Sequence, residues 1–171
     1  IPMFVKMTTD QDPEKLEEVS AQQYFEYWLR LKNAGIPTVP TMRIISENEI
    51  IMTDLTADGS HIYGKHTRTG KVTLEDRKLL DIDLDEVKLK CQEIVKAAND
   101  AEILLPGDDD AFTLIISPNG EWKIIVLDTT PRFHELLGES TSPELRSDLH
   151  EKSVHRFIEI LGKIRENVSR L

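Results

Sequence analysis

Residues 98–128 have the sequence ANDAEILLPGDDDAFTLIISPNGEWKIIVLD, which contains the clearest hairpin signal in the chain. Two runs rich in β-branched and aromatic residues, 111–117 and 121–128, flank Pro118-Asn119-Gly120. A short segment of Pro, Asn and Gly between two such runs is a strong local signal for a tight turn. The sequence therefore predicts a β-hairpin over these two runs.

Acidic residues stand at both ends of the predicted hairpin. Asp108 opens a run of aspartates before the first strand, and Asp128 ends the second strand. Because a hairpin returns the chain to where it started, we expect the two carboxylates to lie close together. Such a pair is repulsive unless a cation or a proton lies between the groups, and carboxylate oxygens are ligands that Mg²⁺ prefers.

Helices are predicted on both sides of the hairpin. Apolar residues line one helical face over residues 84–102, and Ser142-Pro143-Glu144 begins a last helix. Nearer the N-terminus, Asp12-Pro13 is a helix-start signal and Gly35 is a helix-end signal. Apolar residues between them recur at three- to five-residue spacing, so we expect one long helix over about 13–33.

Further strands are predicted in the N-terminal part of the chain. The opening residues 1–7 are partly β-branched, and the runs MRIIS (42–46) and EIIMTDL (49–55) are close enough to form a hairpin. Residues 56–71 are polar and contain glycine, which predicts a loop or linker. Together with the helices, these strands predict one α+β unit.

Composition excludes several classes of protein. The chain has 171 residues, of which 39% are hydrophobic and 30% charged, so it is neither collagen-like nor wholly disordered. Its 21 Lys and Arg against 31 Asp and Glu give a net charge of −10, which disfavours nucleic acid and anionic membranes as partners. A single cysteine suits a reducing compartment. The longest apolar runs are strand-sized, and the N-terminus does not have the pattern of a signal peptide, so we expect a cytoplasmic protein.

Residues 98–128 resemble the catalytic-loop and metal-loop unit of the protein-kinase-like superfamily, with the nearest likeness to its aminoglycoside and choline kinase branch. Gly107-Asp108 is similar to the catalytic loop, and Asp128-Thr129-Thr130 is similar to the metal-binding element. Upstream, residues 4–6 (FVK) look like the strand that carries the phosphate-binding lysine, and residues 13–33 look like the helix that follows it.

The resemblance implies a kinase-like α+β fold in three parts. Residues 1–55 would form a truncated or minimal N-terminal antiparallel sheet, and residues 56–83 would form the hinge and linker. Residues 84–171 would form a helical C-terminal part, in which the β-hairpin carries the catalytic and metal loops.

The same resemblance implies an ATP- and Mg²⁺-dependent reaction and assigns roles to individual residues. Asp108 would position or deprotonate an attacking hydroxyl, while Asp128 and Thr113 would hold Mg²⁺. For the nucleotide, Lys6 would neutralise phosphates, and the hinge residues Asp54 and Leu55 would lie where adenine sits. The hydroxyl acceptor, on a small molecule or a protein, is left open.

Several positions depart from the pattern of that family. Thr113 stands where the family has a metal-binding Asn, and Gln22 or Gln23 stands where the helix has a glutamate. The glycine-rich phosphate loop would precede Ile1. These departures keep three interpretations open: an active phosphotransferase, a catalytically inactive kinase-like binding or regulatory module, and an unrelated α+β domain with an acidic loop.

Other side chains are expected to have ordinary structural roles. Tyr24 and Trp28 are expected in the core beneath their helix, and Cys91 is expected to be a buried, inert thiol. The histidines that could be considered for metal binding have no thiolate or third ligand nearby in sequence. We therefore expect them at the surface; they are His61, His66, His150 and His155.

Overall fold

A computed structural model describes residues 2–7, 19–64, 71–107, 111–127 and 141–171. Over these ranges the chain is a mixed α+β structure with two small antiparallel sheets and several helices. The elements in chain order are β1 (Met3–Met7), α1 (Ala21–Asn33), β2 (Met42–Ser46), β3 (Glu49–Thr53), β4 (His61–Tyr63), a 3₁₀ helix (Leu74–Asp81), α2 (Leu84–Asp100), β5 (Thr113–Ile116), β6 (Trp122–Ile125) and α3 (Pro143–Ser169).

The N-terminal sheet has the strand order β1–β3–β2, so the central strand is the last of the three in sequence. The predicted hairpin of β2 and β3 is confirmed, with Met42 opposite Met52. Alternation along β3 buries Ile50 and Met52, as expected for a strand with one face on a core. The third strand ends at Thr53 rather than at residue 55.

Helix α1 begins at Ala21, which shows that the predicted start at Asp12-Pro13 is wrong for this helix. Ser20 is its N-cap: the Ser20 hydroxyl accepts from the Gln23 N–H at 3.2 Å, and the Ser20 N–H donates to the Gln23 side chain at 2.9 Å. This reciprocal capping box satisfies two donors that a helix end leaves unpaired. Asp12-Pro13 itself lies outside the described residues.

Helix α1 packs against two cores with two of its faces. Tyr24 and Trp28 lie in the small core under the N-terminal sheet, as predicted, and the Trp28 indole donates to the Val39 carbonyl at 2.9 Å. Tyr27 and Leu31 lie in the larger core together with residues of α2, α3 and the C-terminal sheet. The helix therefore joins the two halves of the molecule.

The C-terminal sheet has the strand order β4–β5–β6. The predicted hairpin of β5 and β6 is confirmed, and Gly120 in its turn has φ +87, a conformation that L side chains rarely adopt. The expectation of a loop over residues 56–71 is wrong at His61–Tyr63, because this segment pairs with β5 as β4. Its neighbours in sequence are polar, so only the contact with a distant strand makes it β-structure.

The larger core lies between the C-terminal sheet and the two long helices. Helix α2 ends at Asp100, close to the predicted end, and α3 begins after its N-cap Ser142, as predicted. Cys91 is fully buried on α2, which confirms the expectation for this thiol. Burial raises the pKa of Cys91 to about 12, so the thiol stays protonated and unreactive at neutral pH.

None of the helices in the described ranges is long and apolar enough to cross a membrane.

Replacing Ser20 with alanine tests the capping box of α1. We expect S20A to lower the free energy of unfolding by about 1 kcal/mol, because the Gln23 N–H loses its acceptor. Urea denaturation would measure this, with S169A as the control. Ser169 is an exposed residue of the last turn of α3, so its loss is expected to cost less than about 0.5 kcal/mol. Equal stabilities of the two variants would contradict the capping assignment.

Candidate functional site

The register of the hairpin brings its two ends to one place. Thr113, the first residue of β5, lies opposite Ile125, the last residue of β6. The segments that lead to Asp108 and away from Ile125 toward Asp128 therefore meet at the same end of the C-terminal sheet. Asp108 and Asp128 themselves lie outside the described residues, so their predicted proximity stays a prediction.

The segment before Asp108 is held by three hydrogen bonds. After α2, the Ile103 N–H donates to the Ala98 carbonyl at 2.8 Å. The Leu104 carbonyl accepts from the Tyr27 hydroxyl at 2.6 Å, and the Leu105 N–H donates to His150 Nε2 at 3.0 Å. Residues of α1 and α3 therefore both bond to this segment.

His150 is completely buried, which shows that the expectation of a surface histidine is wrong. Its Nε2 accepts from the Leu105 N–H, and its Nδ1 lies 2.8 Å from Asn99 Oδ1. An imidazole that accepts at Nε2 and donates at Nδ1 is the neutral tautomer with its proton on Nδ1. The imidazole therefore links α3 to the end of α2 and to the segment before Asp108.

A signal for the burial of His150 is present in the sequence. The buried stripe of α3 recurs at three- and four-residue spacing, and it extends through His150 toward the start of the helix. A polar residue on such a stripe needs a hydrogen-bond partner in the core. The residue pattern of one helix does not identify that partner. The other described histidines are less buried: His61 is partly exposed, and the His155 side chain is 75% exposed. His66 lies outside the described residues.

The segment after β6 is held in a corresponding way. The Val126 N–H donates to the Pro37 carbonyl at 2.8 Å, and the Val126 carbonyl accepts from the Thr38 hydroxyl at 2.8 Å. Residues 36–39 connect α1 to β2, so this connection fixes the strand two residues before Asp128. Both arms of the hairpin are therefore anchored close to the predicted acidic site.

A cleft of about 440 Å³ lies between the end of β3 and the C-terminal sheet. The predicted hinge residues Asp54 and Leu55 line it, together with Ile115 on the face of β5 that points away from the larger core. The other lining residues are Pro2, Thr53, Ala57, Asp58, Ser60, Ser117, Glu121, Trp122 and Lys123. The structure thus brings residues far apart in sequence into one cavity.

The two hinge aspartates along the cleft hold tight turns. Asp54 Oδ1 accepts from the N–H of Thr56 at 3.0 Å and from its hydroxyl at 2.8 Å. Asp58 Oδ1 accepts from the Ser60 N–H at 2.9 Å, and hydrogen bonds from the side chain and backbone of Ser60 lower the pKa of Asp58. These turns explain why β3 ends at Thr53, before the last residues of the predicted strand.

Lys6 lies outside the lining of the cleft and faces α1. Its ammonium is 4.8 Å from the centroid of the Tyr24 ring, a cation–π distance. The helix positions where the family pattern has a glutamate are used differently, because Gln23 belongs to the capping box and Gln22 donates to Glu26 at 2.9 Å on the exposed surface. Lys6 is thus near the predicted helix, where it contacts an aromatic ring.

Thr113, the predicted magnesium ligand, is buried in β5 with 8% of its surface exposed. A Cβ added to Gly64 would lie 3.5 Å from Thr113 Oγ1 and 3.3 Å from the Phe112 carbonyl, so the glycine allows a close approach of the chain after β4. In the described part of the chain, no group of three or more His, Cys, Asp or Glu side chains could hold a metal ion.

Comparison of the chain with protein-family models, curated protein sequences and solved structures found no match.

Substitutions of the two helix α3 histidines test the anchoring of the segment before Asp108. We expect H150A to lower the free energy of unfolding by about 2–3 kcal/mol, because the Leu105 N–H is left buried without an acceptor and a cavity forms. H155A on the same helix is the matched control and is expected to change it by less than about 0.5 kcal/mol. Urea denaturation of both variants measures the difference, and similar losses for both would contradict this role of His150.

Proposed function

We propose that this chain is a nucleotide-binding protein of kinase-like architecture that transfers a phosphoryl group from ATP to a hydroxyl acceptor. The observation that carries the proposal is the cleft, because the residues expected to contact adenine line it opposite the hairpin that leads to Asp108 and Asp128. The order of a lysine-bearing strand, a helix, two strands and a connecting segment also supports it.

The cleft suits the base and ribose of a nucleotide. Its volume of about 440 Å³ is within the range of small-molecule sites, roughly 300–1,000 Å³. Leu55, Ile115 and Trp122 supply apolar surface for a planar ring, and carboxylates at the rim supply acceptors for hydroxyl groups. The described lining thus combines apolar walls with several polar groups that can orient a ligand.

Charge indicates where the phosphates of the same ligand would lie. Among the described residues that line the cleft, Asp54, Asp58 and Glu121 are acidic and Lys123 alone is basic, so a triphosphate inside it would be repelled. The cleft adjoins the turn end of the hairpin, whereas the arms toward the predicted acidic pair leave from the other end. Four strand residues separate these ends, about 13 Å at 3.3 Å per residue, which an extended nucleoside triphosphate can span.

The residues predicted at the end of the hairpin away from the turn have side-chain oxygens suited to a hard divalent cation. Asp128 and Thr113 offer oxygen ligands of the kind that Mg²⁺ prefers, and Asp108 is the base within the same acidic group. Bound Mg²⁺ supplies neutralisation of charge on the phosphate oxygens. In this proposal Asp108 accepts the proton of the attacking hydroxyl, and Lys6, a β1 residue whose ammonium lies over the Tyr24 ring, adds positive charge.

One observation favours a second function, that of a binding or regulatory module without phosphoryl transfer. The described residues of α1 offer Lys6 an aromatic ring at 4.8 Å, and neither Gln22 nor Gln23 is free to replace the missing glutamate. A neutral amide at these two positions holds an ammonium less firmly than a carboxylate does. Nucleotide would still enter the cleft, so turnover separates the two functions.

Thermal shift measurements with ATP and Mg²⁺ test nucleotide binding at the cleft. We expect the melting temperature to rise with nucleotide concentration, and A57W to abolish the rise because an indole would fill the cleft from its exposed rim. A101W, at an exposed position after α2, is the matched control and should keep the wild-type response. An unchanged response of A57W, or no shift at millimolar ATP, would contradict the proposed site.

Two aspartate substitutions test the metal and the reaction. We expect D128N to abolish the Mg²⁺-dependent part of the thermal shift, while D148N, which alters an exposed carboxylate on α3, should leave it unchanged. Turnover of ATP above background that falls at least about 100-fold in D108N would identify an active phosphotransferase. Nucleotide binding without turnover would identify the binding module, and a shift that survives in D128N would overturn the metal assignment.

A further inference from the structure

The outer edge of β6 carries peptide groups that point away from the sheet. In an antiparallel pair, every second residue of a strand bonds to the neighbouring strand. The Ser117 N–H bonds to the Glu121 carbonyl, so Lys123 and Ile125, two and four residues further along, also bond to β5. The alternate residues, Trp122 and Ile124, therefore direct their N–H and C=O groups outward. Strand β6 is the last strand of its sheet in the order β4–β5–β6.

The chain itself already uses part of this edge. Val126, the next residue in the outward phase, donates to the Pro37 carbonyl and accepts from the Thr38 hydroxyl, each at 2.8 Å. The segment around Pro37 therefore pairs with the edge of β6 at Val126. In the described ranges, no backbone partner continues this pairing to Ile124 and Trp122.

The unpaired part of the edge lies along a groove of about 450 Å³. Helix α2 contributes Ile94 and Ala97 to the groove, and the α1–β2 connection contributes Gly35 and Pro37, so its inner surface is mainly apolar. The charged residues that line it are Lys90, Glu93 and Lys123, and Lys90 lies 3.4 Å from Glu93. The described part of the lining therefore carries a net positive charge on a protein whose total is −10.

We propose that this groove binds an extended peptide that adds to β6 as a further strand and carries an acidic residue beside its apolar ones. Main-chain hydrogen bonds to Trp122 and Ile124 would continue the pairing that Pro37 begins at Val126. An apolar side chain of the peptide would pack on Ile94 and Ala97, and its carboxylate would lie near Lys90 and Lys123. The proposal does not depend on nucleotide binding at the cleft.

The ligand is an extended peptide because the edge of β6 offers hydrogen bonds to a main chain and the groove offers contacts to side chains. A small carboxylic acid would satisfy the lysines but would leave the outward peptide groups unpaired. In a dimer formed through this edge, the β6 edge of the second copy would be lined by the same lysines. Each molecule also carries a net charge of −10. Like charges would then face each other across the contact.

Amide hydrogen exchange of the full chain tests the edge and the peptide together. Without peptide, we expect the amides of Trp122 and Ile124 to exchange faster than those of Lys123 and Ile125, which bond to β5. Addition of the probe acetyl-Glu-Val-Thr-Val-Thr-Glu-amide, up to about 1 mM, should slow the first two by at least about tenfold. The same peptide with proline in place of its two valines has lost main-chain donors and should have no effect.

A charge-reversal pair on α2 tests the proposed orientation of side chains. K90E, in the groove, should weaken binding of the probe by at least about fivefold, whereas K88E, an exposed lysine of the same helix outside the groove, should leave it within about twofold. Lys123 is left intact because it also lines the cleft.

Three outcomes would overturn the proposal. They are no slowing at Trp122 and Ile124, equal slowing by the proline peptide, or slowing that appears without peptide as the protein concentration rises, which would indicate a second copy at the edge.

Discussion

The antiparallel pairing of β5 with β6 determines where both arms of the hairpin leave the C-terminal sheet. Because Thr113 lies opposite Ile125, the chain enters and leaves the hairpin at one end. Each arm is then fixed by residues from elsewhere: Leu105 by His150, and Val126 by the connection after α1. A shift of one residue in this register would turn the buried face of the hairpin to the outside and separate both arms from their partners.

Helix α1 transmits this constraint to the N-terminal sheet. Its residues Tyr24 and Trp28 pack under the sheet, whereas Tyr27 packs in the larger core and bonds to the Leu104 carbonyl at 2.6 Å. A movement of the helix would therefore change the sheet with Lys6, the segment before Asp108 and the cleft at the end of β3 together. A helix with apolar contacts on two faces is held more firmly than one on the surface of a single sheet.

The cleft and the groove lie on different sides of strand β6. Ile115 and Lys123 belong to the face of the C-terminal sheet that meets the cleft, and the groove follows the outer edge of β6. Trp122 and Lys123 line both cavities, so a ligand in either one contacts side chains that also border the other. Strand β6 thus connects the proposed nucleotide site with the proposed peptide site through shared residues.

Elements with local signals were predictable from the order of the amino acids. The turn at Pro118-Asn119-Gly120, the apolar stripes of α2 and α3 and the pairing of β2 with β3 follow from periodicity and turn residues within short windows. Long-range contacts account for the burial of His150, the ring beside Lys6, the strand at His61–Tyr63 and the assembly of the cleft. Each of these features depends on a contact between residues far apart in sequence. Local periodicity and turn residues do not identify the two residues that form such a contact.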